Sequence, residues 1–253
     1  MSIIIGAQLY TLRDALKKQK NHAAVLRRLA EIGYPIVQCS GFEYRPDEFK
    51  QHCDALNLSV KLTHTEPERL LNDTERVIEE HKLLGCPYVG LGFLPLKYHS
   101  PEGARKFLRD YDPAMRAFAG AGLKFMYHNH SFEFARQSGE RIFDVFVNES
   151  DPALLGFTLD VFWVQHAGAD VRELVRQLSG RVDCVHYKDM AITRAQQRRF
   201  AAVGSGNMNW RGIAEACAAA GTKFAFVEQD NCYGRDPFDE LAASWSYLES
   251  LQK

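Results

Sequence analysis

Short apolar runs alternate with helical patterns from one end of the chain to the other, and this alternation constrains the fold more than any other feature. The pattern predicts strands at Ile3–Tyr10, Ile36–Cys39, Ser59–Thr63, Tyr88–Leu91, Lys124–His128, Leu155–Asp160, Val182–Tyr187 and Phe224–Glu228. Between and after them it predicts helices at Ala23–Ile32, Asp47–Leu56, Asp73–Leu84, Pro101–Ala121, Arg141–Asn148, Val171–Leu178, Trp210–Ala220 and Phe238–Leu251. Strands that alternate with helices imply a parallel sheet. The strand runs are apolar on both faces, as buried parallel strands are. Eight such units, spaced by about 30 residues, match the size of an α/β chain closed into a (β/α)8 barrel. An open doubly wound sheet usually carries a Gly-rich turn after its first strand, and here Tyr10-Thr11-Leu12-Arg13 follows instead. The expectation is one barrel domain over residues 1–253.

Composition excludes several classes of function. Lys+Arg number 31 and Asp+Glu 32, a formal net charge of -1. That balance argues against a bulk electrostatic nucleic-acid or membrane binder. No apolar stretch reaches the roughly 18 residues that a membrane span needs. The six cysteines form no C-x-x-C pair, and the start MSIIIGAQLY lacks a basic leader pattern. These features are read as a cytoplasmic protein with reduced thiols, and with no nucleic-acid or membrane partner.

Ionisable residues gather where the strands end. His64 ends strand three, His128 strand five, Asp160 strand six and Glu228 strand eight, with Asp230 two residues on; strand seven carries His186, then Lys188 and Asp189. Strand five is followed by His130 and Glu133. A lone Asp at a strand end is commonly a helix N-cap, and a lone His is commonly a core residue bonded to a carbonyl. Consecutive strands that deliver Asp, His and Glu to one barrel mouth point to a divalent metal, because neighbouring carboxylates otherwise repel. Strand five adds a His or a Glu; with Glu, three carboxylates and one imidazole form an oxygen-rich set suited to Mn, Mg or Co, with Zn or Fe also admitted.

Several segments, GAQLYTLRD (Gly6–Asp14), YHNHSFEF (Tyr127–Phe134), LDVFWVQHAGAD (Leu159–Asp170), VHYKDM (Val185–Met190), VGSGNMNW (Val203–Trp210) and FVEQD (Phe226–Asp230), resemble the sugar phosphate isomerase/epimerase family of xylose isomerase-like TIM barrels, in its YHNH-type branch. The resemblance implies one divalent metal held by Glu133, Asp160, His186 and Glu228, with His128 or His130 as an alternative ligand or a substrate contact. It implies proton abstraction beside a carbonyl of a sugar or keto-sugar, through a metal-stabilised enediolate. Glu228 would be the base, Glu133 its partner, and Lys188 would polarise a substrate oxygen or hold a carboxylate, or else pair with Asp189. His64, His128, His130, Trp163 and His166 are the expected substrate contacts. Ketose epimerases of the family carry His where this chain has Trp163, which argues against a simple free-ketose 3-epimerase.

The Gly-rich segment Val203–Asn207 lacks a P-loop pattern, so Gly204 and Gly206 are read first as turn residues. Arg194, Arg198 and Arg199 are read as solvated surface, or as a lid over an anionic substrate group. The rival functions are a dehydratase of the inosose or dehydroshikimate type, a multi-zinc DNA-repair endonuclease and a non-catalytic sugar-binding barrel. Barrels of this kind often associate, so a homo-oligomer is compatible with the reading.

Overall fold

The computed structural model describes residues 3–252. Eight parallel strands close into a barrel: β1 Ile4–Gln8, β2 Ile36–Cys39, β3 Ser59–His64, β4 Tyr88–Leu91, β5 Lys124–His128, β6 Leu155–Asp160, β7 Cys184–Tyr187 and β8 Phe224–Val227. The order around the barrel follows the sequence, and β8 closes on β1 with Ile4 opposite Phe224 and Ala7 opposite Val227. The expected helices form the outer ring: Ile32 ends the helix His22–Ile32 and Leu84 ends Thr74–Leu84, each beside a left-handed glycine, Gly33 (φ 120°) and Gly85 (φ 64°). A side chain there would be strained, so these two glycines stop the helices where the sequence places them. No described helix is long and apolar enough to cross a membrane.

Two apolar clusters follow from strand alternation. The larger lies between the strands and the helix ring and includes Val37, Val89, Phe125, Phe157 and Val185. The smaller joins Ile36, Leu62, Tyr88, Met126, Cys184 and Phe226, one from each of six strands, and fills the barrel interior. Successive strand residues point to opposite faces. The next inward position on each strand is therefore two residues on: Gln38, His64, Gly90, His128, His186 and Glu228. The apolar plug thus forms the floor beneath a polar layer at the C-terminal mouth.

The opposite end is closed by an ionic cluster. Asp183 accepts from Lys124 Nζ at 2.8 Å and lies 2.8 Å from Lys223 Nζ, which also reaches the Tyr88 hydroxyl at 3.2 Å. Burial pushes the Asp183 carboxyl up, but the two lysines outweigh it and hold the pKa below the usual value. A depressed carboxylate stabilises the fold above its unfolded pKa of about 3.9 and loses that contribution as pH falls through the lower folded value. Asp183→Asn is expected to cost about 1 kcal/mol at pH 7, since both lysines remain partly in water. The wild-type advantage in urea melts should shrink below about pH 4; a difference that stays constant down to pH 2 would contradict the assignment.

Two local features depart from the sequence reading. Helical turns appear at Pro67–Asn72 and Val161–His166, within loops after β3 and β6. The segment Lys188–Asn209, expected to be irregular, contains an antiparallel hairpin with Asp189–Ile192 paired to Arg198–Ala201. Its turn has no Asn-Gly signature; Gln196 takes the positive φ of 60° instead.

Candidate active site

Four inward residues at the mouth bring their ligand atoms within 4.8 Å of one another: His128, Asp160, His186 and Glu228, all buried. Each sits within one residue of a strand end, so the barrel backbone fixes its position. Asp160 divides its work. Its Oδ1 accepts from the Trp163 amide at 3.0 Å and caps the helix Val161–His166, while its Oδ2 faces His128 Nε2 at 3.2 Å and His186 Nδ1 at 3.7 Å. The N-cap and cluster readings of this residue are both realised, on different oxygens.

The two histidines meet acceptors on both ring nitrogens. His128 Nδ1 lies 3.1 Å from the Gly92 carbonyl, and its Nε2 faces Asp160. His186 Nε2 lies 2.7 Å from Gln38 Oε1, and its Nδ1 is 2.8 Å from Glu228 Oε2. That last pair is out of line for a hydrogen bond, so both atoms are buried without a hydrogen-bond partner. A neutral imidazole has one N–H. If each ring donates outward, to Gly92 or Gln38, its inner lone pair points at a carboxylate oxygen. A cation among the four groups relieves that opposition, and an outer hydrogen bond of this kind is what orients metal-ligating histidines. Two imidazoles and two carboxylates therefore fit a divalent ion.

The electrostatics agree. Burial lowers the His128 pKa and the neighbouring His186 lowers it further. Burial also opposes charge on His186, yet Glu228 and Asp160 outweigh it and raise its pKa, so the carboxylates favour positive charge at that ring. Burial pushes the Asp160 and Glu228 carboxyls up, but Lys188 and the histidines hold both well below the usual carboxylate range.

Lys188 is 2 % exposed. Its Nζ lies 2.9 Å from Asp160 Oδ2, 3.0 Å from Glu228 Oε2 and 3.1 Å from Asp230 Oδ2. It does not turn to Asp189. Above the cluster opens a cavity of about 590 Å³ lined by Tyr10, His64, Phe93, His128, His130, Lys188, Glu228 and Asp230, among others. Burial and Glu228 push the Asp230 carboxyl up to about 7 against the pull of Lys188.

The remaining expected site residues divide. His64 lines the cavity, with Nδ1 3.1 Å from Ser40 Oγ and Nε2 buried without a partner. His130 lines it too, with an unpartnered Nδ1; burial and His128 lower its pKa to about 3. Both rings therefore stay neutral near pH 7. Trp163 stands 5.5 Å from the His130 ring, and its Nε1 is unpartnered. His166, at the far end of the same short helix, packs on Phe162 and Trp163, and neither it nor Trp163 is among the cavity-lining residues. Glu133, the expected strand-five ligand, is fully buried and lies outside the four-residue group. Its oxygens accept from the Tyr127 hydroxyl at 2.8 Å and the His130 amide at 2.9 Å, so it braces the turn that carries His130. The strand-five member of the group is His128. Gln38 is the residue of this cluster that the sequence pattern does not single out, whereas Asp230 stands two residues beyond the strand-eight glutamate; Gln38 shares the inward face of β2 with Ile36, and that face was the available signal.

The Gly-rich segment wraps a carboxylate of the chain itself. Asp189 accepts from the Met190, Gly204 and Gly206 amides at 2.7, 2.8 and 3.0 Å, and from Trp210 Nε1 at 2.7 Å. A Cβ on Gly206 would collide with that carboxylate. These amides are thus engaged and do not form a phosphate cradle. The hairpin is pinned by Phe200, stacked 4.5 Å from Phe162, and by Arg199, 3.8 Å above the Tyr233 ring.

Comparison with known proteins agrees with this architecture. A sugar phosphate isomerase/epimerase from Parabacteroides distasonis superposes with a TM-score of 0.81 at 24% identity, covering 97% of this chain and 93% of that one. An L-ribulose 3-epimerase superposes at 0.71 and 14% identity, covering 99% and 94%. A probable 3-DHS dehydratase from Bacillus anthracis gives 0.71 and 14%, covering 98% and 99%. At these identities the likeness establishes the fold alone. No curated protein matches the sequence significantly. The profile of the xylose isomerase-like TIM barrel family matches residues 21–250, nearly the whole chain, and the protein belongs to that family.

Proposed function

We propose that the protein is a divalent-metal-dependent isomerase or epimerase of an uncharged sugar or keto-sugar, acting by proton transfer beside a carbonyl. The observation that carries this reading is the pair of histidines whose outer nitrogens are engaged and whose inner nitrogens face carboxylates at the floor of an open cavity. His128, Asp160, His186 and Glu228 would hold the metal. Two imidazoles in the set favour Mn, Co, Fe or Zn over Mg. A divalent ion there supplies electrostatic stabilisation as negative charge develops on the substrate carbonyl oxygen.

The chain's own residues do the rest. Glu228, held ionised, takes the proton α to the carbonyl. Asp230, whose carboxyl is pushed up to about 7, lines the same cavity and is placed to supply a proton to the carbon while Glu228 keeps the one it took, whereas the neutral His64 and His130 face the substrate. Neutral imidazoles both donate and accept, which suits sugar hydroxyls. With the charge of the ion set against Asp160 and Glu228, the lining still carries three carboxylates, Glu66, Glu68 and Asp230, against one ammonium, Lys188. A phosphorylated substrate would meet that excess of negative charge, so an unphosphorylated one fits better.

Wild-type protein loaded with Mn²⁺ is expected to exchange solvent deuterium into the α-carbon of an unphosphorylated keto-sugar. Glu228→Gln should lower that exchange by about 10²–10⁴-fold, the usual worth of a positioned base. Absence of exchange across a broad panel would sink the reading. An elimination product would transfer it to the dehydratase class.

A further inference from the structure

We infer that Lys188 is a tethered cation: it holds the site's carboxylates together when no metal is bound, and it lowers the site's affinity for a divalent ion. The inference rests on the metal site proposed above. One nitrogen stands within 3.1 Å of oxygens from Asp160, Glu228 and Asp230. Three carboxylates converging in a buried mouth repel each other, and a fixed positive charge among them cancels much of that repulsion. The Asp160 and Glu228 oxygens that it approaches are the ones facing His186 Nδ1 at 3.7 and 2.8 Å. A divalent ion and the ammonium therefore draw on the same two oxygens and repel one another.

The hydrogen bonding shows how both charges can be accommodated. Lys188 donates a well-aligned hydrogen bond only to Asp230, which lies outside the four-residue group. Its approaches to Asp160 and Glu228 are ion pairs without that alignment. When metal takes those two oxygens, Asp230 still anchors the lysine beside the site. Lys188 is in this account a positioning residue that sets how tightly the metal is held.

The sign of one measurement tests the inference. Titration calorimetry with Mn²⁺ on Lys188→Met should give binding about tenfold tighter than wild type, or more, because a neighbouring positive charge has been removed. The metal-free melting temperature should fall, and its rise on adding Mn²⁺ should exceed that of wild type. A lysine that only supports the fold would move affinity the other way, since a loosened site binds metal more weakly. Should metal-free Lys188→Met fail to fold, Lys188→Gln prepared with Mn²⁺ and measured by chelator competition gives the same comparison. Equal or weaker affinity in a folded variant overturns the inference while wild-type binding leaves the metal site standing. Failure of wild type and both variants alike to bind Mn²⁺ overturns the two together. Binding that appears only after Lys188 is replaced would support the inference in its strongest form.

Discussion

Asp160→Ala and His128→Ala are each expected to lose Mn²⁺ affinity by well over ~100-fold, the upper range seen when only an outer partner of a metal ligand is removed. Glu133→Gln should keep affinity close to wild type, because its carboxylate is occupied by Tyr127 and the His130 amide rather than facing the other three groups. The three variants together separate the ligand set built on His128 from the one built on Glu133. Metal content after dialysis and calorimetry both read the difference, with far-ultraviolet circular dichroism to verify folding. Asp160→Ala will also lose the cap on its short helix, about 1 kcal/mol, so its melting temperature should fall even without metal. Retained metal in Asp160→Ala and His128→Ala, with loss in Glu133→Gln, would reverse the assignment.

Asp189→Ala should be among the most destabilising single changes in the protein, although Asp189 adjoins the site. The carboxylate is wholly buried, and its removal strands the amides of Met190, Gly204 and Gly206 and the Trp210 indole N–H. Leaving several buried donors unpaired costs about 3–5 kcal/mol, which for a chain of this size lowers the melting temperature by about 10 °C. Asp189→Asn keeps one acceptor and should cost less. Urea denaturation of the two variants checks the order; a loss under 1 kcal/mol in Asp189→Ala would mean that the Gly-rich segment holds its shape by other means.

These two residue choices show where sequence is a good guide. The eight strands, their order and the helix stops were legible because burial on both strand faces and left-handed glycines leave local signatures. Asp160, His186, Glu228 and Lys188 were legible as residues brought to one mouth. The choice between His128 and Glu133 at strand five turns on which face a residue occupies. Counting two residues on from the inward Met126 selects His128, whereas Glu133 lies beyond the strand, where alternation no longer predicts direction. The same alternation separates Lys188 from Asp189: neighbours on an extended chain face opposite ways, so one enters the barrel mouth and the other the glycine wrap. The hairpin after β7 was not legible, because strands of four residues around a turn without Asn-Gly carry no strong periodic signal.

The cavity has a consequence for how such a protein changes over time. Every residue of the four-membered cluster comes from β5 to β8, while Tyr10, Ser40, Gly41, Thr65, Glu66, Gly92, Phe93 and Pro95 come from segments following β1 to β4. The two halves meet at the histidines: Gln38 and the Gly92 carbonyl, from the first half, hold the outer nitrogens of His186 and His128. Exchange of the loops after β1 to β4 would therefore reshape the cavity wall without loosening the histidines only where Gln38 and Gly92 keep their places.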